Sequence, residues 1–67
     1  GGVETIRPYV DQFISYAEAH SKQHFLVTPI GCGIAGFSPE EIAPLFDKAR
    51  HVENIYLPES FWDILNR

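Results

Sequence analysis

Cysteine is nearly missing from this chain, since Cys32 is the only one among 67 residues. A single thiol excludes an internal disulfide, and no cysteine and histidine spacing matches a metal site. Unpaired cysteine is typical of a reducing compartment. We therefore expect a cytoplasmic protein that carries no metal and no cofactor.

Positive charge and long apolar runs are also scarce. Five basic residues stand against nine acidic ones, which gives a formal charge of −4, and the basic residues form no cluster. This balance argues against a nucleic-acid partner and against an anionic membrane surface. No apolar run has the length of a membrane span, and no leader opens the chain. The negative charge is still compatible with one small phosphorylated ligand, because backbone dipoles can bind an anion on an acidic protein.

The composition is that of a folded protein, with 45% hydrophobic and 13% aromatic residues. Residues 1–67 have room for a single domain, and a domain of this size buries only about 60% of its unfolded surface. Small domains usually add disulfides, a metal or a partner subunit. We therefore expect either a fragment of a larger domain or a chain that associates with a copy of itself.

The first half of the chain predicts a helix followed by a strand. Apolar residues recur at helical spacing from Ile6 to Ala17, and Thr5 is the predicted N-cap. Residues 24–28 form a continuous apolar run rich in strand-forming residues. Continuity rather than alternation predicts a strand covered on both faces, as in a parallel sheet.

The second half begins with a helix start of the capping-box type at Ser38-Pro39-Glu40-Glu41. Pro44 predicts a kink or a tight turn in that helix. A second strand follows at 54–57 and a last helix at 59–66. The predicted fold class is α/β in the order α-β-α-β-α, with short parallel strands and right-handed crossovers.

A glycine-rich loop connects the first strand to the second helix. Its glycines permit positive φ and let a ligand approach the backbone, while amides near a helix start favour an anion. We predict a ligand-binding loop made of these residues: Gly31, Cys32, Gly33, Ile34, Ala35, Gly36, Phe37 and Ser38.

Two other interpretations of the loop stay open. The glycines also suit a tight turn with no ligand, because the loop lacks a complete phosphate-binding motif. Cys32 could also form a reactive thiolate. Such a nucleophile needs a base, and no local sequence motif links His20, His24 or His51 to Cys32. A small buried cysteine is the simpler interpretation.

The run from Phe25 to Phe37, followed by Glu41 to Phe46 and by Asn54 to Pro58, resembles the C-terminal half of a family of uncharacterised phage-associated bacterial proteins. That family opens with a Phe-Gly-Ser-Asn segment and a second glycine-rich stretch, neither of which is in this chain. The resemblance implies that 1–67 is part of a larger domain and implies no activity.

The order of elements around the loop is also similar to the second half of a macro domain, a three-layer α/β module that binds ADP-ribose. In macro domains a Ser-Gly-Ile-Phe-Gly loop wraps the diphosphate and the distal ribose. The positions that match here are Cys32, Gly33, Ile34, Ala35 and Gly36. Ala35 replaces a large aromatic residue, so stacking on the ribose is not implied. The residues that read adenine and support hydrolysis belong to the other half, and no catalytic residue is assigned.

The leading hypothesis is therefore phosphate binding of a nucleotide-derived molecule such as ADP-ribose, with any enzymatic activity left open. The alternative is a small interaction or self-association module. There the loop is only a turn, and the apolar faces of the first helix, from Ile6 to Ala19, and of the last helix bind a partner.

Overall fold

A computed structural model describes residues 2–28 and 36–67. Within these ranges the fold is mixed α/β, with three α-helices and a two-stranded parallel sheet. The helices are α1 (Arg7–Ala19), α2 (Pro39–Ile42) and α3 (Glu59–Leu65), and the strands are β1 (Phe25–Leu26) and β2 (Ile55–Tyr56). Two 3₁₀ helices span Val3–Thr5 and Ala43–His51.

The N-cap of α1 lies one residue later than predicted. Its N-cap is Ile6, which makes no side-chain capping bond, and Pro8 lies in the first turn. Thr5 closes the preceding 3₁₀ turn instead, since its hydroxyl donates to the Gly2 carbonyl oxygen at 2.8 Å. The buried residues Val10, Ile14 and Ala17 follow the predicted helical spacing.

The strands pair in parallel as predicted, with Phe25 opposite Ile55 and Leu26 opposite Tyr56. The expectation of a strand covered on both faces is wrong. Ile55 is buried in the core, whereas Leu26 is 75% exposed and Tyr56 is 47% exposed. The reason is that α1 packs against the Phe25 side, where the ring of Phe13 meets that of Phe25 edge to face at 5.6 Å.

The 3₁₀ helix Ala43–His51 lies at the centre of the fold and packs against α1, α2 and α3. A 3₁₀ helix repeats every three residues, so Ala43, Phe46 and Ala49 fall on one face, and all three are buried. Pro44 has no N–H to continue the α-helical bonding of α2. The predicted tight turn thus extends into nine residues of 3₁₀ helix.

The core joins all the helices to β2. Phe61 of α3 is 1% exposed and lies 5.6 Å from Phe46, ring centre to ring centre. The apolar faces of α1 and α3 are used here, inside the chain. They are therefore not the free surfaces that the interaction hypothesis expects of them.

Candidate functional site

Both strands end at the same edge of the sheet, and the glycine-rich loop follows β1 in the sequence. Parallel strands point the same way, so the segments after β1 and β2 leave from one edge, which is where open α/β sheets bind ligands. Of the predicted binding residues, Gly31, Cys32, Gly33, Ile34 and Ala35 lie outside the described residues. Gly36, Phe37 and Ser38 lie inside them.

Gly36 adopts a left-handed backbone conformation, which the glycines of the loop were expected to permit. Its φ is +78°, and a Cβ built on it would meet no atom within 4 Å. The requirement for glycine at this position is therefore conformational rather than steric. Phe37 is half-buried and packs against the hydrophobic core.

Ser38 uses its polar groups within the protein. Ser38 and Glu41 form the predicted capping box, in which the Ser38 N–H donates to Glu41 Oε1 at 3.0 Å. The Ser38 hydroxyl donates to the same oxygen at 3.3 Å. The N–H of Ser38 is thus occupied and does not point to an external anion.

Glu40 adds a second carboxylate to the start of α2, and Arg67 offsets its charge. Arg67 Nη1 lies 2.6 Å from Glu40 Oε2, and Nη2 lies 3.3 Å from Oε1. Both side chains are more than half exposed. This paired geometry removes the isolated negative charge beside the end of the loop.

Two of the three histidines, His20 and His24, make separate hydrogen bonds within the described residues. His20 Nδ1 donates to the Tyr16 carbonyl oxygen at 2.7 Å, and the two rings stack at 3.8 Å. His24 Nδ1 lies 3.1 Å from the Tyr56 hydroxyl. The reactive-thiolate alternative for Cys32 stays untested, because Cys32 lies outside the described residues.

Asn54 is an important residue that the sequence analysis treats only as part of a strand. It is 7% exposed, and its Nδ2 lies 2.8 Å from the carbonyl oxygen of Ala17, 3.1 Å from that of His20 and 3.0 Å from that of Gln23. The backbone carbonyl oxygen of Asn54 accepts a hydrogen bond from the Phe25 N–H at 2.8 Å. Asn54 therefore joins the end of α1 to the sheet.

A cleft of about 450 Å³ opens at the other edge of the sheet, before the two strands begin. Its lining includes Glu18, His24, His51, Glu53, Asn54 and Tyr56. In the described parts of the chain, histidine, cysteine and acidic side chains form no group of three or more that could hold a metal ion. The described loop residues Gly36, Phe37 and Ser38 do not line this cleft.

The helices of residues 2–28 and 36–67 are all too short or too polar to cross a bilayer. No family model matches the chain, and no curated protein and no solved structure matches it either. The similarity to the phage-associated family and to macro domains thus stays a prediction from the sequence.

Proposed function

We propose that the chain binds the phosphate groups of a nucleotide-derived ligand, of the ADP-ribose type, through backbone amides of the glycine-rich loop. The observation that carries this proposal is the parallel pairing of β1 and β2. Because the two strands end at the same edge of the sheet, the chain that follows β1 leaves from the edge where ligands of α/β proteins bind. The positive φ of Gly36 supports the same proposal.

The occupied N–H of Ser38 narrows the set of donors. Because that N–H already donates to Glu41, the proposal assigns phosphate contacts to amides from Gly31 to Phe37. Side chains contribute little to such a site, since the loop is made mainly of glycine and small or apolar residues. A second half of a macro-like domain would supply the base-reading groups and any hydrolytic residue.

Titration of the ¹⁵N-labelled chain with ADP-ribose tests this function. We expect saturable amide shifts concentrated in residues 31–37, with pyrophosphate shifting the same amides more weakly. Gly33→Val should abolish the shifts, whereas Gly2→Val, at an exposed glycine far from the loop in sequence, should leave them unchanged. The proposal fails if millimolar ADP-ribose gives no saturable shift, or if Gly33→Val binds as well as the unaltered chain.

One observation favours self-association as a second candidate. Leu26 and Tyr56 are opposite each other in the strand register and are exposed on the face of the sheet away from Phe25 and Ile55. Parallel sheets are usually covered on both faces. Among residues 2–28 and 36–67, this pair is one exposed apolar surface, and Tyr9 and Tyr16 of α1 are exposed as well.

Light scattering coupled to size exclusion tests this candidate. Self-association requires that the measured mass exceed the monomer mass of 7.6 kDa and that it return to the monomer mass in Leu26→Ser. Tyr9→Ser is the control, because Tyr9 is 71% exposed but lies on α1. A monomer at all concentrations, or equal dissociation by both variants, would exclude self-association through the sheet face.

A further inference from the structure

The strand β1 directs its backbone polar groups to two opposite edges. The Phe25 N–H donates to the Asn54 carbonyl oxygen at 2.8 Å, and the Val27 N–H donates to that of Tyr56 at 2.9 Å. Successive residues of a strand alternate in direction, so the N–H and the C=O of Leu26 point away from β2. Apart from the sheet ladder, no backbone hydrogen bond among the described residues uses either Leu26 group. The main chain of β1 thus presents a donor and an acceptor at its outer edge.

The other edge of the sheet, along β2, is less accessible. Ile55 and Leu57 are both buried, and the Ile55 N–H donates to the Val52 carbonyl oxygen at 3.2 Å. Leu26, by contrast, is largely exposed. Of the two edges of this sheet, β1 therefore carries the one that a further strand can reach.

Residues 24–28 carry none of the residue types that usually protect an edge strand. Natural edges are blocked by charged residues, above all lysine, or by proline. The stretch His-Phe-Leu-Val-Thr contains no lysine, no acidic residue and no proline. The side of β1 that faces α1 is apolar as well, since the ring of Tyr16 is partly exposed and lies 5.9 Å from that of Phe25. An unprotected apolar edge favours pairing with another strand.

The charge distribution favours a second copy of this chain as the source of that strand. All nine acidic residues lie within 4–18 or 40–63, and none lies within 19–39. Copies with a formal charge of −4 repel each other, and β1 lies in the one long stretch without carboxylates. Antiparallel pairing centred on Leu26 also places apolar side chains opposite one another, with Leu26 opposite Leu26 of the copy and Phe25 opposite Val27.

We propose that two copies of the chain pair through β1 in antiparallel orientation, about a two-fold axis at Leu26. The Leu26 N–H of each copy donates to the Leu26 C=O of the other, which gives a four-stranded sheet in the order β2-β1-β1-β2. This arrangement rests on the self-association candidate above and specifies its interface as the strand edge rather than the sheet face. The interface is small, so we expect the dimer to dissociate on dilution.

Isotope-filtered NMR on a mixture of labelled and unlabelled chain tests this pairing directly. Opposed residues of an antiparallel pair that exchange no hydrogen bonds have Cα atoms about 4.5 Å apart. We therefore expect a nuclear Overhauser effect between Hα of Phe25 in one copy and Hα of Val27 in the other. Hydrogen exchange of the Leu26 amide should slow as the concentration rises, and light scattering should approach twice the monomer mass.

Two variants separate the strand edge from the sheet face. Leu26→Pro removes the outward N–H and leaves the ladder donors in place, so it should raise the dissociation constant about tenfold or more, since each dimer loses two hydrogen bonds. Tyr56→Ser changes the sheet face on the strand away from the interface and should leave the dimer intact. Melting curves check both folds. If Leu26→Pro unfolds, the Overhauser effect and the exchange of the unaltered chain decide.

The outcomes distinguish this interface from self-association in general. A dimer that lacks the Phe25–Val27 contact and dissociates in Tyr56→Ser refutes pairing at the edge and keeps association through the sheet face. A monomer at every concentration refutes both. A folded Leu26→Pro variant that dimerises as tightly as the unaltered chain, or masses beyond the dimer, would also contradict a closed two-fold pair.

Discussion

A single buried amide, that of Asn54, connects elements that are far apart in the sequence. Its Nδ2 group contacts carbonyl oxygens 31 to 37 residues earlier in the chain, in the last turn of α1 and in the segment that follows it. The Ala17 and His20 oxygens also accept the backbone N–H groups of His20 and Gln23, so the amide adds a further donor to a turn that is already hydrogen-bonded. Asn54 is thus a structural residue that holds this turn against the start of β2.

Removing this amide should destabilise the protein. We expect Asn54→Ala to lower the free energy of unfolding by about 1–3 kcal/mol, the cost of losing several hydrogen bonds made by one buried side chain. Asn54→Asp should cost more, because a carboxylate has no N–H and repels the carbonyl oxygens. Urea unfolding measures both. Asn66→Ala, at an exposed asparagine, is the control, and an Asn54→Ala curve that overlays the unaltered one would contradict this role.

Glu4 and Arg7 form an ion pair on the surface. Arg7 Nε lies 2.8 Å from Glu4 Oε2, and this hydrogen bond, followed by the attraction of the charges, lowers the pKa of Glu4 and raises that of Arg7. A carboxyl group with a lowered pKa in the folded state stabilises the fold above its ordinary pKa. That contribution is lost as the pH falls through the lowered value.

An NMR pH titration tests the pair. The pKa of Glu4 should rise towards its ordinary value in Arg7→Gln. The effect on unfolding should be small, because both side chains are exposed and water screens the charges. In Arg50→Gln, which removes a cation from a different pair, the pKa of Glu4 should not change. A Glu4 pKa that is the same with and without Arg7 would disprove the assignment.

At the scale of elements, the backbone of residues 36–44 is shaped by one glycine and two prolines. Gly36 takes positive φ, Pro39 opens α2, and Pro44 follows the last residue of α2 by two positions. Glycine permits positive φ, whereas proline has a fixed φ and no N–H. All three residues therefore act through the main chain. The resulting α2 has only four residues before the 3₁₀ geometry begins.

The conformational role of Gly36 can be measured against another glycine. Gly36→Ala should destabilise the fold by about 1–2 kcal/mol, the cost of a left-handed conformation for a residue with a Cβ. Gly2→Ala should change stability by only a few tenths of a kcal/mol, since Gly2 has no positive φ and equal space around it. Denaturant unfolding decides, and equal stability of the two variants would refute the argument.

At the scale of the whole molecule, one small core carries the stability. The buried residues of α1, the 3₁₀ helix, β2 and α3 form a single cluster, and Phe61 is its largest fully buried side chain. A chain of this length is expected to have a free energy of unfolding of about 3–10 kcal/mol. The free-energy cost of removing one large core side chain is therefore comparable with the total free energy of unfolding.

We expect Phe61→Ala to cost about 3–5 kcal/mol and to leave much of the protein unfolded at 25 °C. Circular dichroism and the dispersion of the amide spectrum measure the loss. Tyr9→Ala removes an aromatic side chain that is 71% exposed and should stay within about 0.5 kcal/mol of the unaltered protein. A well-dispersed spectrum and an unchanged melting curve for Phe61→Ala would show that the core is not a single unit.

Local patterns predicted the elements that depend on near neighbours. The capping box at Ser38 and Glu41 was predicted from adjacent residues and occurs. The glycines of the loop were expected to permit positive φ, and Gly36 adopts it. The parallel pairing followed from the alternation of helices and strands. Strand lengths were overestimated, because apolar runs do not show where backbone pairing stops.

The long-range features of the candidate sites could not be predicted in this way. The contact between Asn54 and the end of α1 joins residues more than 30 positions apart, and no spacing rule connects them. The cleft brings Glu18 and Glu53 to one surface for the same reason. The role of the loop as a phosphate site stays a prediction of the sequence.

The sequence alone determined which segments form helices and strands and where the backbone must bend, because propensity, capping and proline or glycine geometry act over a few residues. Only the tertiary structure decided which apolar faces are buried and which side chains share a cleft. Those outcomes depend on how the elements pack, and packing places residues from distant parts of the chain against one another.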